Sequence, residues 1–262
     1  MSNIFTKEQL IEYLCEIRQM GWIRNARPGN VGGIGNTLED LLGIKENNLP
    51  IPNASEWELK CQRANTTSLT TLFHCEPSPT VLKFVPSMLL PKYGWKHDKA
   101  GELYPVNELS FRQTISGANR SDRGFKVIVD RKNERIVISF DANFVDCKHA
   151  DWLETVSKRV GLGELNPQPY WGFNDIYHKA GTKLLNTFYV IADVRKDENG
   201  DEYYRYSRIL KLTQFSIDGW LEAIESGYLY VDFDARSGHN HGTKFRLRQN
   251  MLPLLYKNIE EI

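Results

Sequence analysis

Cysteine is scarce in this 262-residue chain. Cys15, Cys61, Cys75 and Cys147 show no Cys-x-x-Cys pair and no Cys/His ligand spacing. A disulfide scaffold or zinc ribbon is therefore not expected, and the thiols read as free groups in a reducing cytoplasm. Long apolar runs are missing too: none approaches the roughly 18 residues of a membrane span, and the start MSNIFTKEQL carries no signal-peptide pattern. Net charge is absent as well, with 33 basic residues against 33 acidic ones. A protein so balanced can bind nucleic acid only by gathering its cations on one face. Repeats, low-complexity tracts and an obvious linker are also lacking. What is present is an ordinary globular composition, 41% hydrophobic, so a full core can form.

The N-terminal third has readable helical signals. Thr6 and Gln9 form a capping-box pattern, and Leu10, Leu14 and Ile17 recur at helical spacing, which predicts a helix to about Gln19. The glycine-rich stretch from Arg27 to Gly35 reads as a loop. Asn36 or Thr37 is the expected cap of a second helix through Leu38, Leu41 and Leu42, ended by Gly43. Asn47 to Asn53 reads as a connector. Ser68 to Phe73 fits a short strand or a helix, and Pro77 to Asp98 reads as irregular. Strands are expected at Phe125–Asp130 and Arg135–Phe140, a hairpin, and at Asn186–Val194 and Tyr203–Leu212. A helix carrying Trp220, Leu221 and Ile224 should stop at Gly227. Strands at Tyr228–Phe233 and Thr243–Leu247 should flank a loop holding His239, Asn240 and His241. The sum is a mixed α/β (α+β) fold in one domain, 1–262, with a possible division into lobes near residue 140.

The run Glu56-Trp57-Glu58-Leu59-Lys60 is the most informative stretch. Read as a strand, it turns Glu56, Glu58 and Lys60 to one face and Trp57, Leu59 and Cys61 to the core. Carboxylates able to hold a divalent metal, beside a lysine, suit phosphodiester hydrolysis. Pro52-Asn53 stands just upstream, where nucleases of the PD-(D/E)xK type carry Pro-Asp. A half-buried strand with a solvated charged face is the competing reading. The loop Gly29 to Thr37 lacks the lysine of a P-loop and no apolar strand feeds it, although amides at a helix start can still meet a phosphate.

Taken in order, Gly35-Asn36-Thr37-Leu38-Glu39-Asp40-Leu41-Leu42, Pro52-Asn53, Glu58-Leu59-Lys60, Ser68 to Phe73, Gln113 to Gly117 and His239 to Arg246 resemble the MvaI/BcnI family of type II restriction endonucleases. That family's fold is similar to the mismatch-repair nicking enzyme MutH. The resemblance implies a central mixed sheet flanked by helices, a two-lobed DNA cleft, and a catalytic lobe mainly in 1–140 with a recognition lobe mainly in 141–262. It also implies Mg²⁺-dependent cleavage of double-stranded DNA at a short site by a monomer, alongside a cognate DNA methyltransferase. Glu58 and Lys60 match the family's ExK pair, and Glu39 matches a helix glutamate that assists. Asn53 departs from the pattern, which has a metal-binding aspartate there. Glu56 could replace the missing carboxylate, the residue could have been changed deliberately to trap a DNA complex, or the chain could bind DNA without cutting. A MutH-like nicking enzyme of repair is a further alternative.

DNA-contacting candidates are more dispersed. Arg112, Arg120, Arg123 and Lys126, with Ser116, Asn119 and Ser121 between them, suit phosphate contact, although a solvated face competes. Arg236 and Arg246 can read guanine bidentately, His239 and His241 can donate to its acceptors, and Asp232 can accept from cytosine or orient an arginine. Two solvated loop histidines are the competing reading, and zinc is the weakest, since no third ligand is apparent. Tyr170, Trp171 and Phe173 read as packing residues.

Overall fold

Thr6 accepts from the Gln9 amide while the Gln9 side chain accepts from the Thr6 amide, closing the capping box that opens α1 (Lys7–Gln19). The computed structural model describes residues 5–29, 32–44, 57–184 and 186–262. Helices follow at α2 (Gly33–Leu41), α3 (Leu90–Tyr93), α4 (Ala150–Val160), α5 (Phe173–Lys183) and α6 (Ile217–Glu225). The strands are β1 (Ile23–Arg24), β2 (Trp57–Arg63), β3 (Leu69–His74), β4 (Trp95–Lys96), β5 (Leu109–Ser116), β6 (Arg123–Asp130) and β7 (Arg135–Val145). They continue with β8 (Tyr170–Gly172), β9 (Asn186–Lys196), β10 (Glu202–Phe215), β11 (Leu229–Arg236), β12 (His239–Arg248) and β13 (Tyr256–Glu261). The architecture is mixed α/β, as expected, with three sheets among the described residues.

The chain forms two compact units that interleave in sequence. One comprises 1–68, 180–216 and 249–262; the other comprises 69–179 and 217–248. Neither corresponds to a division at residue 140, because pairing between distant strands, and not chain order, decides which segments share a core.

In the first unit the sheet runs β1-β10-β9-β2, with β13 also paired to β10. Among the described residues β2 is an edge strand, and it pairs with β9 in parallel, Glu58 opposite Thr187 and Lys60 opposite Tyr189. One face is apolar. Trp57 and Leu59 pack there with Phe188, Val190 and Ala192, under Leu10, Leu14 and Ile17 of α1 and Ile34 and Leu38 of α2, and Cys61 packs against the same cluster. Helix α2 begins earlier than the cap residues suggested: Gly33 and Gly35 lie inside it. Thr37 is buried and binds the Ala26 amide and Asn25. Gly33 allows this docking, since a Cβ there would meet the Tyr204 hydroxyl at 2.9 Å.

The second unit holds a sheet of order β3-β12-β11-β5-β4 and a smaller sheet β6-β7-β8. Ser68–Phe73, open between helix and strand, supplies β3, and the proline-rich 77–98 contains short helical turns, α3 and β4. Aromatic rings fill the core: Phe73 stacks on Trp220 at 5.3 Å, Phe125 and Phe140 meet at Tyr93, and Phe111 packs on Phe125. Trp171 is buried and donates to the Cys75 carbonyl, which fits its packing reading. Among the described residues no helix is long and apolar enough to cross a membrane.

Candidate nuclease site and nucleic-acid interface

β-alternation decides what β2 presents. With Trp57 and Leu59 in the core, Glu58 and Lys60 project from the opposite face. Lys60 Nζ donates to Glu58 Oε1 at 2.8 Å, and both side chains keep about a third of their surface, 35% and 28%. They stand at the level of Thr187 and Tyr189 on β9. The Thr187 and Tyr256 hydroxyls lie 2.8 Å apart, and Tyr189 donates to the Gln249 carbonyl at 2.6 Å. Burial pushes the Tyr256 phenol up to about 12, the Thr187 bond opposes that, and the Glu58 charge adds to it. Tyr256 therefore stays a neutral hydroxyl within the field of Glu58. Neither Thr187 nor Tyr256 stood out in the sequence, because the pairing of β2 with β9 sets Thr187 opposite Glu58 and the pairing of β13 with β10 brings in Tyr256.

Glu39 sits on α2, which packs against β2. Its charge, secondary to burial, helps raise the Cys61 thiol. Asn53 and Glu56 lie outside the described residues. Glu58 offers a hard oxygen donor suited to magnesium. Among the described residues no three His, Cys, Asp or Glu side chains converge as a metal cluster. That includes His239 and His241, which gain no third ligand for zinc.

The second unit carries a charged sheet face. Val231, Phe233 and Ala235 are buried, so Asp232, Asp234 and Arg236 project from the other side of β11. Across the ladder Asp232 faces Thr114 and Lys244, and Asp234 faces Arg112. Thr114 donates to Asp232 at 2.7 Å, and Arg246 stands 3.7 Å from the same carboxylate. The Arg246 Nε is buried and has no hydrogen-bond partner among the described residues, so its guanidinium is held in place but keeps donor capacity. Asp234 lies 3.5 Å from both Arg112 and Lys244. The period-two pattern of Asp232, Asp234 and Arg236 was the signal that would have added Asp234 to the candidates.

His239 and His241 belong to the start of β12 and not to a loop; both are exposed, with ring centroids 4.2 Å apart. Glu76 fixes the strand just beyond them by accepting from the Thr243 amide and hydroxyl. Arg236 is engaged internally: it donates to buried Glu108 at 2.9 Å and lies over Tyr104. Arg123 does not present a free cation either. It is sandwiched between Trp95 and Trp152, its side chain 18% exposed, and desolvation lowers its pKa. Arg120 binds the Gly124 carbonyl and Ser139, while Arg112 is 76% exposed. The basic cluster near 112–126 thus divides into an outward Arg112 and arginines that largely serve the fold.

The profile of the MvaI/BcnI restriction endonuclease family matches residues 11–256. No curated protein sequence matches the chain. Among solved structures it is similar to the restriction endonuclease MvaI bound to cognate DNA substrate, with TM-score 0.68 and 23% identity over 98% of this chain and 99% of that one. It is also similar to MvaI in the absence of DNA, with TM-score 0.61 and 24% identity over the whole of both chains.

Proposed function

Because the chain belongs to the MvaI/BcnI restriction endonuclease family, we propose that it is a type II enzyme of the cytoplasm, hydrolysing duplex DNA at a short specific site as a monomer with Mg²⁺. A DNA methyltransferase of the same specificity would protect the host. The observation that carries this reading is the 2.8 Å pair of Glu58 and Lys60 on the outward face of an edge strand.

Glu58, with Asn53 and Glu56 as its neighbours in sequence, would hold the metal. A magnesium ion bound there supplies charge neutralisation and lowers the pKa of a coordinated water. Lys60, relieved of Glu58, would donate to a phosphate oxygen or orient the attacking water. Thr187 and Tyr256 are uncharged hydroxyls that leave the carboxylate the dominant charge beside Lys60. Asp232, Asp234, Arg246, His239 and His241 would meet base edges, and Arg112 and Lys244 the backbone.

Digestion of plasmid DNA with Mg²⁺ tests the proposal: discrete linear fragments are expected. Nicked circles only would favour a MutH-like activity. Lys60→Ala should abolish cutting while a gel-shift assay still registers duplex binding, and undiminished cutting by that variant would remove Lys60 from the mechanism. A second reading rests on Asn53, an amide where the family pattern has aspartate: a DNA binder without cleavage. Retarded but intact DNA from the unaltered protein, with cutting gained by Asn53→Asp, would establish it.

A further inference from the structure

Strand β7 does not run evenly beside β6. Between the pairs Arg123–Val145 and Phe125–Phe140, β6 has one residue and β7 has four. Gly124 permits the offset: its φ is +75°, and a Cβ there would stand 2.4 Å from the Asp141 carbonyl. Asp141 in turn caps the Asn143 amide and side chain. The bulge turns Phe144 outward, 61% exposed, with the Arg120 guanidinium 5.4 Å from its ring centroid. A bulge of this kind re-aims a side chain, and here the side chain is a large apolar ring in water.

Phe144 forms one wall of a cleft of about 710 Å³ in the second unit, with Asn119, Arg120, Lys126, Ile128 and Glu225 among its other lining residues. Glu225, the one acid among the lining residues, is paired with Arg131 at 2.8 Å. The backbone of Lys126 sits in the β6–β7 ladder opposite Ser139, and its ammonium makes no ion pair among the described residues. The cleft thus combines a fixed aromatic platform, an aliphatic wall, an amide side chain and an uncompensated cation.

We propose that this cleft binds one nucleotide of an unpaired DNA strand, its base stacked on Phe144 and its phosphate met by Lys126. This pairs a planar π-face with positive charge, as sequence-tolerant single-strand sites do. Ile128 covers the base edge, and Arg120, fixed by Gly124 and Ser139, holds the ring in place. The inference rests on the reading of the chain as a DNA enzyme, but it concerns a different substrate form and different residues from the cutting site.

Titration of a fluorescein-labelled oligothymidylate into the full-length protein tests it, with cleavage of cognate duplex measured on the same preparations. Phe144→Leu should weaken strand binding about tenfold and leave duplex cleavage unchanged. Lys126→Ala should reduce the slope of log affinity against log salt by about 0.7, one phosphate contact on a single strand. A strand carrying 5-iododeoxyuridine should photocrosslink to Phe144. Wild-type strength in Phe144→Leu, or a crosslink on another segment only, would overturn the cleft assignment. A protein that cuts duplex yet fails to bind the strand would do the same while leaving the nuclease reading intact. Strand binding dependent on Phe144 without any duplex cutting would instead retain the cleft and defeat the nuclease.

Discussion

Gln62 shares a face of β2 with Glu58 and Lys60, yet it is 5% exposed and its Oε1 meets no donor among the described residues. A buried carbonyl oxygen left in that state costs about 1–3 kcal/mol. Gln62→Met, close in shape and free of the oxygen, should therefore raise the urea midpoint, and a lower midpoint would show that the oxygen is satisfied in solution. A second residue-scale expectation concerns Asp232, which anchors Arg246 on one side and Thr114 on the other. Asp232→Asn removes the charge that holds the guanidinium, and should cost about 1–3 kcal/mol in affinity for a specific duplex with little change for random DNA. Equal losses on both duplexes, in a filter-binding competition, would assign Asp232 to stability instead.

At the scale of the element, Gly33 decides how α2 meets β10. Glycine inside a helix is ordinarily improved by alanine, by about 0.5–1 kcal/mol. Here the added methyl would meet the Tyr204 hydroxyl at 2.9 Å and Asn25 at 3.0 Å, both in buried residues. Gly33→Ala should thus lower stability, by about 1–3 kcal/mol, and a gain on thermal melting would refute this docking. The turn before β6 gives a pH expectation. Burial would raise the Asp122 carboxyl, but bonds from Lys148 and His149 outweigh it and hold the group at about 2, against an ordinary 3.8. A depressed carboxyl contributes stability above its unfolded value that is lost as pH falls toward 2. The contribution is modest, since Asp122 is 42% exposed. Asp122→Asn should flatten the acid limb of denaturation midpoints between pH 5 and 2. Legibility followed the range of the interactions. The α1 cap, the two faces of β2, the β6–β7 hairpin and α6 are local patterns and stood in the sequence. Helix α4 carries a local signal too, Trp152 and Val156 four apart with Asp151 early and Lys158 and Arg159 late, yet none of the expected elements covers it. The β2–β9 pairing, the Thr187–Tyr256 hydroxyls and the enclosure of Arg123 depend on distant segments, which no local spacing encodes.

For the whole molecule, zero net charge leaves duplex affinity to the local array around Arg112, Lys244 and Arg246. Binding should fall steeply with salt, by about 0.9 in the log–log slope per phosphate contacted, and Arg112→Ala should lower that slope by one such increment. A flat salt response would place the DNA elsewhere. The interleaved units also bear on how the enzyme is made. Lys60 and Glu58 emerge early from the ribosome, but the register that seats them reaches Ala192, beyond the whole first segment, 69–179, of the second unit. Until that point has been translated β2 lacks β9, its neighbour among the described residues, and a product truncated at an earlier codon carries Glu58 and Lys60 without the full ladder that orients them. Under the proposed function, an unfinished polypeptide of this kind is expected to leave DNA uncut.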